Sequence, residues 1–390
     1  MAGLITDWTT LADDQLVNDS NLPDWLKAKK QQAVAQLKTL SVPSRKLEYW
    51  RYSDANRLAL KGGEASPSSL ESHPVSIAND GVEQVVIKLN DNGFTVSDNC
   101  PGSVRISPIN AIDESRWLDL DMNQETVANL ANTACFMHGV SVECSAALEV
   151  NLVFEYDYKF DEQWRYVRNQ INVDTGAQFS VEERFNSGQV NVVNVYDLQR
   201  GSVVNRHQMA NLSDAQNLIS FNQFELSAQA QLNSTNQHLG GSLQHHLHRV
   251  NFNGNQAVFK MGTVNKSINN NNIADLVEVN HNKKSNQSDV THRSIADGAS
   301  QIFTNAKAFV AVGADESEIE QDLKNILLSP DAKIFSKPEL EVYADEVVAA
   351  HGSTIGALDD QSLFYLQSRG IDIKQARAIM IESFEQEALL

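Results

Sequence analysis

Cysteine is scarce in this 390-residue chain. Cys100, Cys135 and Cys144 lie far apart and form no CxxC pair, so no disulfide framework is expected. Isolated thiols of this kind are more often inert packing groups than reactive ones. Positive charge is also in the minority, with 31 Lys and Arg against 50 Asp and Glu and a net charge of -19. Such a surface repels phosphate backbones and anionic membrane faces, which argues against nucleic-acid or lipid partners. No apolar run reaches the roughly 18–20 residues of a membrane-spanning helix. The opening "MAGLITDWTTLADDQ" has no basic stretch followed by an apolar core, so no secretory signal is expected. Phosphate-cradling motifs are missing too. There is no GxxxxGK[ST], no GxGxxG after a strand and no GxSxG elbow, and "KGGEASPSS" has neither the spacing nor the lysine of a P-loop. Nucleotide hydrolysis, if the protein needs it, has to come from another chain.

What is present reads as three textures. The length accommodates two or three domains, or one elongated domain with appendages. "LPDWLKAKKQQAVAQLKTL" predicts a helix opened at Pro23 and closed by Pro43, with Leu26, Ala33, Val34, Leu37 and Leu40 on one face. "RKLEYWRYSD" follows, dense in aromatics and cations, and then the turn-rich "KGGEASPSSLESHP". From about Val140 to Val348 short period-two segments such as "FELSAQAQL" alternate with Asn, Gly, Ser and Asp turns, which indicates extensive β structure. No helix-length pattern interrupts them until about Glu318–Leu328, so βαβ units are not expected. Sandwich, barrel and β-helix all remain compatible. The asparagines, including Asn269–Asn272, suit β-helix turns and equally suit a polar loop, and no fixed repeat length stands out. The last forty residues return to helix. "LDDQSLFYLQSRG" ends at Gly370 and carries Leu363, Phe364 and Leu366, while "DIKQARAIMIESFEQEALL" starts on Asp372 as N-cap and repeats at Ile379 and Met380.

The candidate chemistry is thin. In "HHLHR" a strand places His246 and His248 on one face, about 7 Å apart, and His245 on the other. A metal there needs a third ligand, for which His281 and His292 are available, although histidines on a solvated strand face are common. The pairs Glu182–Glu183, Asp345–Glu346 and Asp359–Asp360 are expected on solvated faces. His351 is different: in "EVVAAHGSTIG" it stands alone among small and apolar residues.

"SKPELEVYADEVVAAHGSTIGALDDQSLFYLQSRGI" resembles the signature segment of the SufD family of the Suf iron–sulfur cluster assembly machinery. "QDLKNILLSPDAKIFSKPEL", "HNKKSNQSDVTHRSIADGASQIF" and, more weakly, "VPSRKLEYWRYSD" also resemble family segments. The similarity is close over roughly residues 275–390. It implies a right-handed parallel β-helix between helical ends, with residues 1–135 as N-terminal helical and mixed region, 136–351 as core and 352–390 as C-terminal helical region. It further implies a noncatalytic scaffold that pairs with a SufB-like subunit and a SufC-like ABC ATPase. The sequence does not settle bacterial cytoplasm against plastid stroma, and the lack of an obvious transit peptide favours the cytoplasm. A homodimer is the arrangement open to the isolated chain. The C-terminal helices, with Leu363, Phe364, Leu366, Ile379 and Met380, are the implied ATPase contact, and the last coils are the implied SufB contact. His351 matches the histidine at which a transient iron–sulfur cluster is held between SufB and SufD. Many relatives carry cysteine two positions earlier, where this chain has Ala349, so the resemblance leaves sulfur ligation to SufB; whether FAD binds the complex is left open by the sequence. The competing readings are a β-helix polysaccharide lyase or esterase, and an independent histidine-based metal binder.

Overall fold

The computed structural model describes residues 2–18, 22–53, 55–59, 83–120, 123, 125–145, 150–159, 161 and 163–389. The expected linker at 61–74 lies outside the described residues. The chain is mainly β, with helices at both ends.

Two sheets face each other. The first holds β1 (Glu83–Asn90), β2 (Gly93–Val96), β5 (Val150–Asp157), β7 (Gln178–Ser187), β9 (Val203–Leu212), β11 (Gln231–Gly240), β13 (Val258–Ser267), β15 (Gln287–Ala296), β17 (Ser317–Leu327) and β19 (Val347–Gly356). The second holds β3 (Val104–Pro108), β4 (Val140–Cys144), β6 (Trp164–Val173), β8 (Gln189–Leu198), β10 (Asn217–Leu226), β12 (Leu243–Phe252), β14 (Asn272–His281), β16 (Gln301–Val310) and β18 (Lys333–Val342). From β5 onward the chain alternates between the sheets; β5 pairs in parallel with β1, and from β6 onward each strand pairs in parallel with the strand two before it. This is a parallel β-helix, and it resolves the choice that periodicity left open. The segment Glu318–Leu328, read as helix-length, is strand β17. Its true signal is period two, with Ser317, Ile319, Gln321, Leu323 and Asn325 turned inward.

The corner after each coil repeats although its sequence does not. Gly176, Gly201, Gln229, Gln256, Ser285 and Glu316 all adopt positive φ between 58° and 71°. Their amides donate to carbonyls of the following coil, as from Gln229 to Asn255 and from Glu316 to Glu346. Only the first two are glycine, the residue that takes this conformation without steric cost. Asparagine behaves as the turn reading expects. Asn269 is left-handed at φ 54°, and Asn233 donates to Asn205 across coils at 2.9 Å, as Asn280 does to Asn251.

The N-terminal helices α1 (Ala2–Asn18), α2 (Asp24–Leu37) and α3 (Val127–Cys135) pack through Trp8, Leu26, Val34 and Leu130 against the outer face of the second sheet. Helix α2 stops at Leu37, six residues before Pro43, and Leu40 is only half-buried beyond it. The aromatic segment lies along the same face, where Trp50 stacks on His245 at 4.1 Å and Tyr52 on Phe335 at 3.9 Å.

The lumen is apolar near β1–β6 and polar through its middle. Glu183, foreseen on a solvated face, is buried inside and takes two hydrogen bonds at 3.0 Å from Arg206, besides one from the Tyr196 hydroxyl. A buried carboxylate persists only when paired and hydrogen-bonded in this way. Farther along, His238 stacks on His246 with ring centroids 3.5 Å apart. Burial holds His238 and His292 down to about 3 and His245 and His281 down to about 4, and lowers His246 and His248 as well. The unfolded chain takes up these protons near pH 6.5, whereas the folded chain refuses them until far lower pH. Each imidazole therefore removes roughly 1.4 kcal/mol of stability per pH unit as the pH falls below its unfolded value. Asp275 and Glu278, raised to about 7 by burial, act in the opposite sense and offset two of the six. The urea midpoint is expected to fall steeply between about pH 6.5 and 4.5. A midpoint that holds steady over that interval would mean these imidazoles are hydrated in solution.

Candidate functional site

The two ends of the β-helix differ. At the start, antiparallel pairings of β2 on β1 and of β3 on β4 close the sheets. At the finish, β18 and β19 are the terminal strands of their sheets and pair on one side only. Nine of the ten residues of β19 are exposed, on both of its faces. Val348 is 72% exposed, Ile355 49% and Tyr343 56%. An uncovered edge of this length offers a row of free amides and carbonyls to another chain, and soluble proteins seldom leave one bare.

His351 sits on this end. In register it continues the inward column Met261, Val290, Gln321, and Ala349 and Ser353 share its face. The ring therefore faces the mouth of the lumen, and among the described residues no further coil lies beyond it. Ser353 Oγ donates to Ser336 Oγ of β18 at 2.9 Å, so the two terminal strands meet across the mouth. A neutral imidazole is a good nitrogen ligand for iron, and the neighbours Ala350, Gly352 and Ser353 leave space around it. No sulfur donor comes from β19, because Ala349 and Ser353 occupy the positions on either side of His351 on the same face.

The other predicted residues go elsewhere. His246 and His248 do share a face, with ring centroids 6.4 Å apart, and His245 takes the opposite one. That shared face is the buried lumen, not a solvated surface. His281 is held by Ser288 at 2.9 Å, and His292 lies near Asp275. Among the described residues no group of three His, Cys, Asp or Glu is arranged to hold a metal ion. The thiols of Cys135 and Cys144 are pushed up to about 12 by burial, which makes them the inert packing groups expected.

The C-terminal helices are α4 (Asp360–Ser368) and α5 (Ile373–Gln386). Asp359 and Asp372 cap them by accepting from Ser362 and from Lys374 and Gln375. Helix α5 is clamped to the outer face of the first sheet: Lys266 meets Glu385 at 2.9 Å, and Arg293 joins Glu387 at 2.9 Å to Asp322 at 2.7 Å. Sequence reading missed this clamp, since paired charges distant in sequence leave no local pattern. Helix α4 packs on α5 and remains open. Phe364 is 72% exposed and Ile379 45%, while Leu363, Leu366 and Met380 are half-buried. The pair presents an apolar surface without a cover.

The two kinds of histidine differ in what they support. His351→Ala removes an exposed ring and is expected to change unfolding free energy by less than about 0.5 kcal/mol. His246→Ala empties a packed site and leaves Gln244 Oε1 without its partner, and is expected to cost roughly 2–4 kcal/mol. Urea unfolding of both variants checks this. Equal costs would make His351 a core residue.

Comparison with known proteins agrees with this geometry. Residues 158–384 match the family described as "SUF system FeS cluster assembly, SufBD core domain". The iron–sulfur cluster assembly protein SufD of Escherichia coli is 30% identical over 149 residues, covering 38% of this chain and 35% of that protein. A SufBD family protein of Synechocystis is 38% identical over 98 residues, covering 25% and 22%. SufD of Bacillus subtilis is 34% identical over 93, covering 24% and 21%. The matched segments thus span about a third or less of these relatives. No described helix is long and apolar enough to cross a membrane. With its family match covering more than half its length, the chain belongs to the SufBD family of the SUF iron–sulfur cluster assembly system.

Proposed function

We propose that this protein is a noncatalytic scaffold subunit that assembles and delivers iron–sulfur clusters, in the cytoplasm, together with a SufB-like subunit and a SufC-like ABC ATPase. The observation that carries the reading is the uncovered last coil with His351 on its inward column. Parallel strand edges of a related β-helix can extend β18 and β19, which would place that subunit's residues directly over the imidazole. His351 then supplies one nitrogen ligand to the nascent cluster, and the facing subunit supplies the sulfur ligands that Ala349 does not. Helices α4 and α5 receive the ATPase on Leu363, Phe364, Leu366, Ile379 and Met380, a helix-pair surface anchored at its far end by the Glu385 and Glu387 clamp. ATP hydrolysis belongs to that partner, in keeping with the missing phosphate loop.

Two variants test the reading in cells that depend on this pathway. His351→Ala is expected to co-purify with both partners and yet leave client iron–sulfur enzymes inactive. Deletion of residues 359–390 is expected to lose the ATPase while keeping the SufB-like subunit. Normal client activity with His351→Ala would remove the histidine from cluster chemistry. Undiminished ATPase capture by the truncated chain would move the docking surface elsewhere.

A further inference from the structure

The polar lining of the lumen leads to the open end. Asp275, fully buried on β14, stands between two imidazoles. His248 Nε2 of β12 lies 3.6 Å from its Oδ1, and His292 Nε2 of β15 lies 3.6 Å from its Oδ2. Among the described residues neither ring nitrogen, nor Asp275 Oδ1, nor His292 Nδ1 has a hydrogen-bond partner. Buried polar atoms are rarely left so, and several around one carboxylate mark a place that holds protons or water. The two rings address different carboxylate oxygens, so they do not converge on one metal position. Asn265 donates to Oδ2 at 3.3 Å and Thr263 also bonds the carboxylate. His246, in register beside Asp275 on β12, and His238 on β11 complete the nearby titratable groups, and Arg206 on β9 is the cation acting on it. The inward residues of β13 and β16 beside it are not titratable.

From this carboxylate a file of hydroxyls runs to the mouth. Thr304 of β16 follows Asp275 in register, one coil on; the strands are about 4.8 Å apart, a gap between side chains that one water can bridge. Thr304 Oγ1 donates to Ser336 Oγ at 3.2 Å, and Ser353 Oγ donates to the same atom at 2.9 Å. Ser353 is two residues from His351 on one face of β19.

We propose that Asp275, with His248 and His292, forms an internal proton-binding site, and that Thr304, Ser336 and Ser353 connect it to the open end of the β-helix beside His351. One proton passes inward along the hydroxyls to the carboxylate, or outward by the reverse steps, and no electron moves. Burial places the carboxyl at about 7, so its occupancy changes around neutral pH while the imidazoles stay uncharged. The site belongs to this chain alone and does not depend on the scaffold reading.

Infrared difference spectroscopy of the full chain, with and without 13C-labelled aspartate, tests the proposal. A protonated-carboxyl stretch is expected to titrate with a midpoint near neutral pH and to vanish in Asp275→Asn. In pH-jump measurements Ser336→Ala and Thr304→Val are each expected to slow its appearance by about tenfold or more at an unchanged midpoint. Should Asp275→Asn fail to fold, the isotope-shifted band in the two hydroxyl variants carries the test. No such band near neutral pH would refute the proton site. Unaltered rates in both hydroxyl variants would refute the connection to the mouth.

Discussion

Every interior coil of this protein is held by the backbone ladder it shares with the coil before and the coil after it. Ten-residue strands in register, β8 on β10 on β12 and β9 on β11 on β13, leave each coil with half its main-chain bonds supplied by either neighbour. A structure built this way has two ends at which that supply stops. One is closed by the antiparallel strands β2 and β3. The other is not, and on it the chain carries its loneliest histidine. The functional proposal follows from that asymmetry, because a coil missing its neighbour is both an instability and a vacancy for a related subunit.

The same ladder explains how a lumen can be so polar. In-register stacking aligns equivalent side chains at the spacing of adjacent strands, so a polar residue in one coil finds a polar partner in the next. Asn169, Asn194, Asn222 and His248 form such a column, and the amide of Asn194 is shared between Glu183 and Asn222 at 3.1 Å each. Apolar columns such as Tyr196, Phe224 and Val250 run beside it. The polar columns add little net stability, since each bond replaces one to water, but a shifted register would strand buried donors. They fix register.

Much of this was legible in the sequence, unevenly. The helical ends announced themselves through Asp372, Gly370 and the apolar spacing. Extensive β structure showed in the alternation of Phe224 to Leu232. The β-helix itself came through family resemblance, for two physical reasons. The left-handed corner positions 176, 201, 229, 256, 285 and 316 are 25 to 31 residues apart and filled by Gly, Gln, Ser and Glu, so no repeat length or signature residue recurs. Inward positions such as Glu183, Arg206, His246 and Asp275 are polar, which hides the face that alternation normally marks. The strand period of β17 is hidden for the second reason, since Gln321 and Asn325 are inward. The mouth around His351 was legible only as a residue. That it caps an open column is a property of the coil that does not follow it.

The central claim is that the last coil is an interface awaiting strands from a partner, and amide hydrogen exchange along β18 and β19 tests it most directly. The chain is compared alone and with a SufB-like subunit. Completion of the ladder predicts strong new protection confined to residues 333–342 and 347–356, with the coils from β6 to β15 unchanged. Binding that leaves these amides exchanging as before, or that protects the outer faces of the sheets instead, would contradict the account.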